Sequence, residues 1–413
     1  MAGSRLPRFG PGDLGAVVLL AVVALAQGWS GAVLTHVLPF LQADYDLTDA
    51  RVFDLMTVVR AASLGALAFS WWGDNRGRRL PLLAAFALLP LANLASAFAT
   101  GPGALAVLQS VARLATIAVS GLALVVLAEQ VRPAVRAHAT AIYVLFGAIG
   151  TGLGLLLRPL GAEGDGWRLL FALSALPLVA LPMLLKRLRE PELFVRPKTR
   201  PPLTAVLRSI HARRFWPMAA LSFAVSAYTT PAANLALVRL EGALAWSPGS
   251  ASLLVAAASA PGVLAGLAIG GRMADALGRR PTEALAIATG VGGGLAFYLI
   301  DGGWPLAAGI LLSNLGAFAF APAFAAHRAE LFPTELRATA SAWIVNASIV
   351  GGIAGFAAGR FVVDAWGIDR TVSALGLMLL GATALLLALP ETKGISLGPS
   401  AADHPEPTSA TPE

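Results

Sequence analysis

Apolar residues run in long blocks along this chain, and polar residues are confined to short breaks between them. Crossing a bilayer takes about 20 mostly apolar residues in helical form. Twelve blocks meet that length, near 14–41, 53–73, 80–100, 104–129, 138–159, 168–186, 215–239, 249–271, 282–300, 304–327, 338–362 and 371–390. Several contain Gly or Pro, which spanning helices tolerate better than soluble ones. The pattern predicts an all-α membrane protein of twelve transmembrane helices. Residues 1–13 precede the first, 187–214 form a polar linker after the sixth, and 391–413 form a Pro-, Ser- and Ala-rich tail expected to be disordered.

Composition agrees. Of 413 residues 57% are apolar and 13% charged, the mean hydropathy is +0.72, and there is no cysteine. A soluble domain carries about 25% charged residues, so a water-soluble fold would lack polar cover. A disulfide scaffold and a cysteine-ligated metal site are excluded. The net charge of +7 alone would suit a nucleic-acid partner. Its distribution says otherwise. With the N-terminus inside, 22 of the 30 basic residues fall in cytoplasmic segments and six at outer ends, namely Arg51, Arg158, Arg168, Arg239, Arg360 and Arg370. The positive-inside rule therefore places both termini in the cytoplasm and accounts for the excess charge. The remaining two, Arg60 and Arg113, lie inside spans.

The two halves repeat at an offset of 201 residues. Asp74-Asn-Arg-Gly77-Arg78-Arg79 follows the second span, and Asp275-Ala-Leu-Gly278-Arg279-Arg280 follows the eighth. Glu129 and Arg136 follow the fourth span, and Glu330 and Arg337 stand 201 positions later. An Asp at the end of a span can bond Arg side chains or helix N-termini of neighbouring loops, and such charge-assisted bonds could latch one face shut. Asp74, Arg78, Glu129, Arg136, Asp275, Arg279, Glu330 and Arg337 are the expected latch.

The doubled Asp-x-x-Gly-Arg-Arg loop resembles the major facilitator superfamily, with the second copy, Gly271 to Arg280, close to the family pattern. Glu330-Leu-Phe-Pro333-Thr-Glu-Leu-Arg337 and Pro390-Glu-Thr-Lys-Gly394 resemble the sugar porter and metabolite–proton symporter branches. The resemblance implies two pseudo-symmetric six-helix bundles (residues 14–186 and 215–390), a central cavity lined mainly by spans 1, 4, 7 and 10, and alternating access. The Gly-Pro pair usual in the fifth span of the family's drug–proton antiporters is missing from Gly147-Ala-Ile-Gly150-Thr-Gly152-Leu-Gly154, whose glycines suit close helix packing. Where the family usually has an Arg in span four this chain has Gln109.

An ionisable residue inside a span is a functional hypothesis by default. Counting about 1.5 Å per residue from the loop markers puts Arg60 about 21 Å and Arg113 about 24 Å above the inner face, both near the midplane. No Asp or Glu falls near the middle of a span. Two guanidinium forks at one depth suit a carboxylate or phosphate; the plainer reading makes them structural struts. At the 201 offset Arg113 pairs with Asn314 and Gln27 with Tyr228, so spans 1, 4, 7 and 10 each carry a polar residue that could bond a solute. Trp343 and Asn346 are weaker candidates, and interhelical bonds are the competing role for each. Span one lacks the acidic residue common in metabolite–proton symporters, which leaves uniport, anion exchange and symport, with His36 or a protonated solute as the proton carrier, all open. His36 titrates in the right range, and a hydrogen-bonded helix residue is its competing and commoner role.

The sequence thus predicts a secondary transporter of a small organic anion. A carrier of neutral sugars or polyols and a drug or metabolite efflux pump are its alternatives. It predicts no enzyme, no metal or cofactor, and no nucleic-acid partner. The expected partners are a small-molecule solute, the lipid bilayer of the cell membrane, and a coupling proton or counter-anion, with the protein a monomer.

Overall fold

A computed structural model describes residues 9–132, 135–191 and 211–394. Most of the expected linker and the expected disordered tail beyond residue 394 lie outside the described residues. Among them are twelve helices long and apolar enough to cross a membrane. We number them α1 (Gly12–Asp44), α2 (Asp49–Arg76), α3 (Arg79–Ser96), α4 (Pro102–Gln130), α5 (His138–Leu156), α6 (Gly166–Arg187), α7 (Ala212–Ala243), α8 (Pro248–Leu277), α9 (Arg279–Leu299), α10 (Trp304–Glu330), α11 (Thr339–Arg360) and α12 (Val363–Ala388). The chain is an all-α, multi-pass membrane protein whose two halves are pseudo-symmetric.

Two compact units emerge, one of residues 1–198 with 234–256, the other of 199–233 with 257–413. The first holds α1 to α6 together with the end of α7 and the start of α8. Its core gathers Leu20, Val23, Phe86, Val119, Val126 and Leu184 from α1, α3, α4 and α6.

Lipid tails are as apolar as leucine, so helices here associate through close backbone approach rather than hydrophobic burial. The glycines of α5 serve that end. A Cβ on Gly28 of α1 would stand 2.0 Å from the Gly147 carbonyl oxygen, and one on Gly150 would stand 2.1 Å from that of Leu25. The second unit uses the same device: Gly351, which stands 201 residues beyond Gly150, and Gly355 of α11 lie against the carbonyls of Phe223 and Ala227 in α7, at 2.1 and 2.0 Å by the same measure. Gly152, in the same run as Gly150, faces open space. Gly150→Ala is therefore expected to lower stability by about 1–3 kcal/mol, the usual range for overpacking, while Gly152→Ala leaves it unchanged. Thermal unfolding of the purified protein reads both.

Two helices depart from α geometry. The backbone of α2 tightens to a 3₁₀ turn at Ala62–Gly65, and α7 ends in a π turn at Arg239–Ala243. Such departures often mark functional positions. Gly77 and Gly278, which precede α3 and α9, have φ of +102° and +108°. Only glycine adopts such values without strain.

Candidate functional site

The first unit holds a narrow cavity of about 30 Å³ lined by α1, α2, α4 and Asn234 of α7. Arg60 and Arg113 both line it, as their common depth along the spans implied. The Arg113 Nε donates to Ser63 Oγ at 3.2 Å, inside the 3₁₀ turn of α2. No Asp or Glu among the described residues forms an ion pair with Arg113.

The other polar lining groups are held by neighbours. The Gln109 amide nitrogen donates to Asn93 Oδ1 (3.1 Å) and Ser96 Oγ (2.9 Å), and the Asn93 amide donates to the Ser30 carbonyl at 2.7 Å. Gln109 is thus a buried tie between α3 and α4 whose side-chain oxygen is left as an acceptor. Thr116 spends its hydroxyl proton on the Ala112 carbonyl and Ser30 on that of Ser174. Thr35 donates to Asn234 Oδ1 at 2.6 Å, which joins α1 to α7 at the cavity. Hydroxyl protons are consumed within the protein, so the donors left for a guest are mainly the guanidinium N–H groups of Arg113. Such a site asks for oxygen acceptors on its ligand.

The other expected solute residues lie elsewhere. Gln27 accepts from the Tyr143 hydroxyl at 3.1 Å and does not line this cavity. In the second unit Tyr228 is buried against Gly294 and Gly376, where a Cβ would collide with its ring or hydroxyl. Asn314 donates to Ser259 Oγ (3.3 Å) and to the Ile310 carbonyl (2.9 Å). Asn346 is half-buried and returns its amide to the Ala342 carbonyl, and Trp343 is exposed. His36 is buried beside Gly154, and its ring makes no hydrogen bond among the described residues. Its carbonyl accepts from Arg158 Nε.

Arg158, counted in the sequence only as an outer basic residue, is fully buried. It forms an ion pair with Glu241 in the π turn of α7, reaches Ser252 Oγ and the Pro248 carbonyl of α8, and stacks over Phe40 at 4.4 Å. This cluster lies at the end of the first unit away from the Asp74 loop.

Six of the eight expected latch residues assemble into two networks, each closed within its own half. Arg78 pairs with Asp74 and with Glu129 at 3.5 Å. Arg279 pairs with Asp275 at 2.8 Å and forks onto both oxygens of Glu330, at 2.8 and 3.1 Å. Arg136 and Arg337 make no ion pair among the described residues. Sequence reasoning missed a carboxylate in each network. Glu190 accepts from the backbone N–H groups of Arg78 and Arg79, and Glu391 from those of Arg279 (2.7 Å) and Arg280 (3.0 Å). Each carboxylate thereby meets the open N–H groups at a helix start. A Cβ on Gly77 or Gly278 would come within 2.9 Å or 2.8 Å of those carboxylates, so the loop needs glycine twice over. Burial alone would raise the Glu391 carboxyl, but the N–H groups of Arg279, Arg280, Lys393 and Thr392 hold it below the usual carboxylate range. The signal was available: 190 plus 201 is 391.

The chain matches the model of the Major Facilitator Superfamily over residues 19–241 and 215–411, and it belongs to that family. It is a secondary transporter that moves a small solute by alternating access, and it is not an enzyme. It is similar to a gallate transporter of Pseudomonas putida, 29% identical over 90% of each chain. It also resembles an arabinose-proton symporter of Escherichia coli strain K12, 29% identical over 40% of this chain and 35% of that one. Its fold matches the crystal structure of a bacterial homologue of the human lysosomal transporter Spinster with a TM-score of 0.76, at 15% identity, over 92% of this chain and 97% of that one.

Proposed function

We propose that the solute is a small, oxygen-rich organic molecule bound in the cavity of Arg60 and Arg113. The observation that carries this reading is the excess of N–H donors there, with Arg113 bonded only through Nε among the described residues. Neutral hydroxyls and carboxylates both answer that donor pattern.

Of the two chemistries, a neutral sugar or polyol is put first. The sugar-porter relatives weigh at least as heavily as the others, and the Gln109 oxygen is placed to accept from a hydroxyl. This ranks above the organic anion expected from the arginines alone. The anion is the second reading, favoured by two cationic side chains in one cavity and by the gallate-transporting relative. Both termini are assigned to the cytoplasm on the distribution of basic residues.

Uptake into proteoliposomes with labelled pentoses, polyols and aromatic carboxylates tests the assignment. Saturable entry of a neutral sugar or polyol, with no competition from carboxylates, is expected. Carboxylate entry that sugars do not inhibit moves the assignment to the second reading, and entry of neither class rejects both.

A further inference from the structure

A carboxylate and an imidazole meet where neither is used by the solute cavity. Glu283, one turn into α9, and His327, in the last turn of α10, are both fully buried, with Oε1 2.9 Å from Nδ1. The other ring nitrogen, Nε2, lies 3.0 Å from the Pro390 carbonyl oxygen. A carbonyl only accepts, so Nε2 carries a hydrogen. The bond at Nδ1 then needs one more proton, either on the imidazole or on the carboxyl. In both forms the pair holds that proton and is neutral overall. Without it, a buried carboxylate would face an imidazole lone pair. The second Glu283 oxygen is buried and accepts no hydrogen bond among the described residues, which makes an ionised carboxylate costlier still.

The fold does not require polar residues here. Subtracting 201 from 283 and 327 gives Leu82 and Val126, both buried in the apolar core of the first unit. One half fills these positions with hydrocarbon; the other fills them with two ionisable groups.

We infer that Glu283 and His327 form a proton-binding site that clasps the 390–394 segment onto α9 and α10 while the proton is held. The charged groups around it are Glu391 and Arg280, with Arg279, Glu330 and Asp275 in the adjoining network. Thr392 and Lys393 tie the same segment to Glu330 and to the Ala276 carbonyl, so release at Pro390 loosens one continuous strap. Once the strap opens to water, Glu283 and His327 titrate near their ordinary values, about 4.3 and 6.5. Between those values the open and closed forms hold equal numbers of protons. Above about pH 6.5 the open form holds one fewer, so closure weakens by about tenfold per pH unit. The site is independent of which solute is carried.

Hydrogen–deuterium exchange of the full-length protein in lipid nanodiscs tests this at the amides of Thr392 and Lys393. After correction for the intrinsic pH dependence, wild-type protection is expected to fall by about tenfold per unit above about pH 6.5. Glu283→Gln, whose amide donates to Nδ1 at every pH, should give a flat profile, as should the double variant Glu283→Leu/His327→Val. A flat wild-type profile between pH 5 and 9 overturns the proposal, since the pair would then be a fixed strut. Wild-type and Glu283→Gln profiles that fall together also overturn it, since the proton would belong to another group. The Gln variant keeps the test decisive should the double variant not fold.

Discussion

Arg113→Gln is expected to weaken solute binding by an amount that identifies the solute's charge. A guanidinium bonded to neutral hydroxyls contributes about 1.5–3 kcal/mol, the range for hydrogen bonds to a charged group. That is roughly 10- to 150-fold in Kd, since each 1.4 kcal/mol is tenfold. Against a buried carboxylate the loss is about 2–5 kcal/mol, because the partner's charge is left unmatched. Arg113→Lys separates the cases further. It keeps the charge but loses the planar fork, so it restores much of the affinity for a carboxylate and little for a sugar. Equilibrium binding to the purified transporter measures all three proteins. Unchanged affinity in the Gln variant would place Arg113 outside the solute site and leave it a tie to Ser63.

The second large effect is expected at the other end of the same unit. Arg158→Met leaves Glu241 buried without its cation, and breaking a buried pair from one side costs about 3–5 kcal/mol. Glu241→Leu strands Arg158 in the same way. Replacing both should recover most of the loss, because neither member then lacks its partner. Thermal unfolding gives the cycle. The same pair joins the chain after α5 to the π turn that ends α7, so its loss should also open that end. A cysteine placed at Ser252, buried beside Arg158 in a chain that has no other cysteine, should react faster with maleimide in the Arg158→Met background. Equal stability and equal labelling would show the pair to be idle.

The twelve spans were legible because each is long, apolar and bounded by charge, and bilayer thickness sets one length for all of them. Arg60 and Arg113 were legible as a pair because rise per residue converts sequence distance into depth. Counting does not give helix rotation. It therefore grouped Gln27 with Arg113, whereas Gln27 turns towards Tyr143. The repeat carried more than was taken from it: Glu190 and Glu391 stand at the same offset as the loops they cap. The contacts that sequence could not supply lack a counterpart in the other half. Glu283 and His327 are 44 residues apart on neighbouring helices, and their equivalents are hydrocarbon. Arg158 and Glu241 are 83 residues apart and meet where the end of α7 packs with the chain after α5.

Glu190 and Glu391 also bear on descent. In each half the carboxylate that closes the Arg-Arg turn comes from the segment after that half's own sixth span. A break in the chain just after Pro191 would sever none of these bonds. Charges that balance inside one copy need no second copy to exist first. The arrangement is therefore the kind a single six-helix ancestor could carry intact, and gene duplication would transmit it without repair.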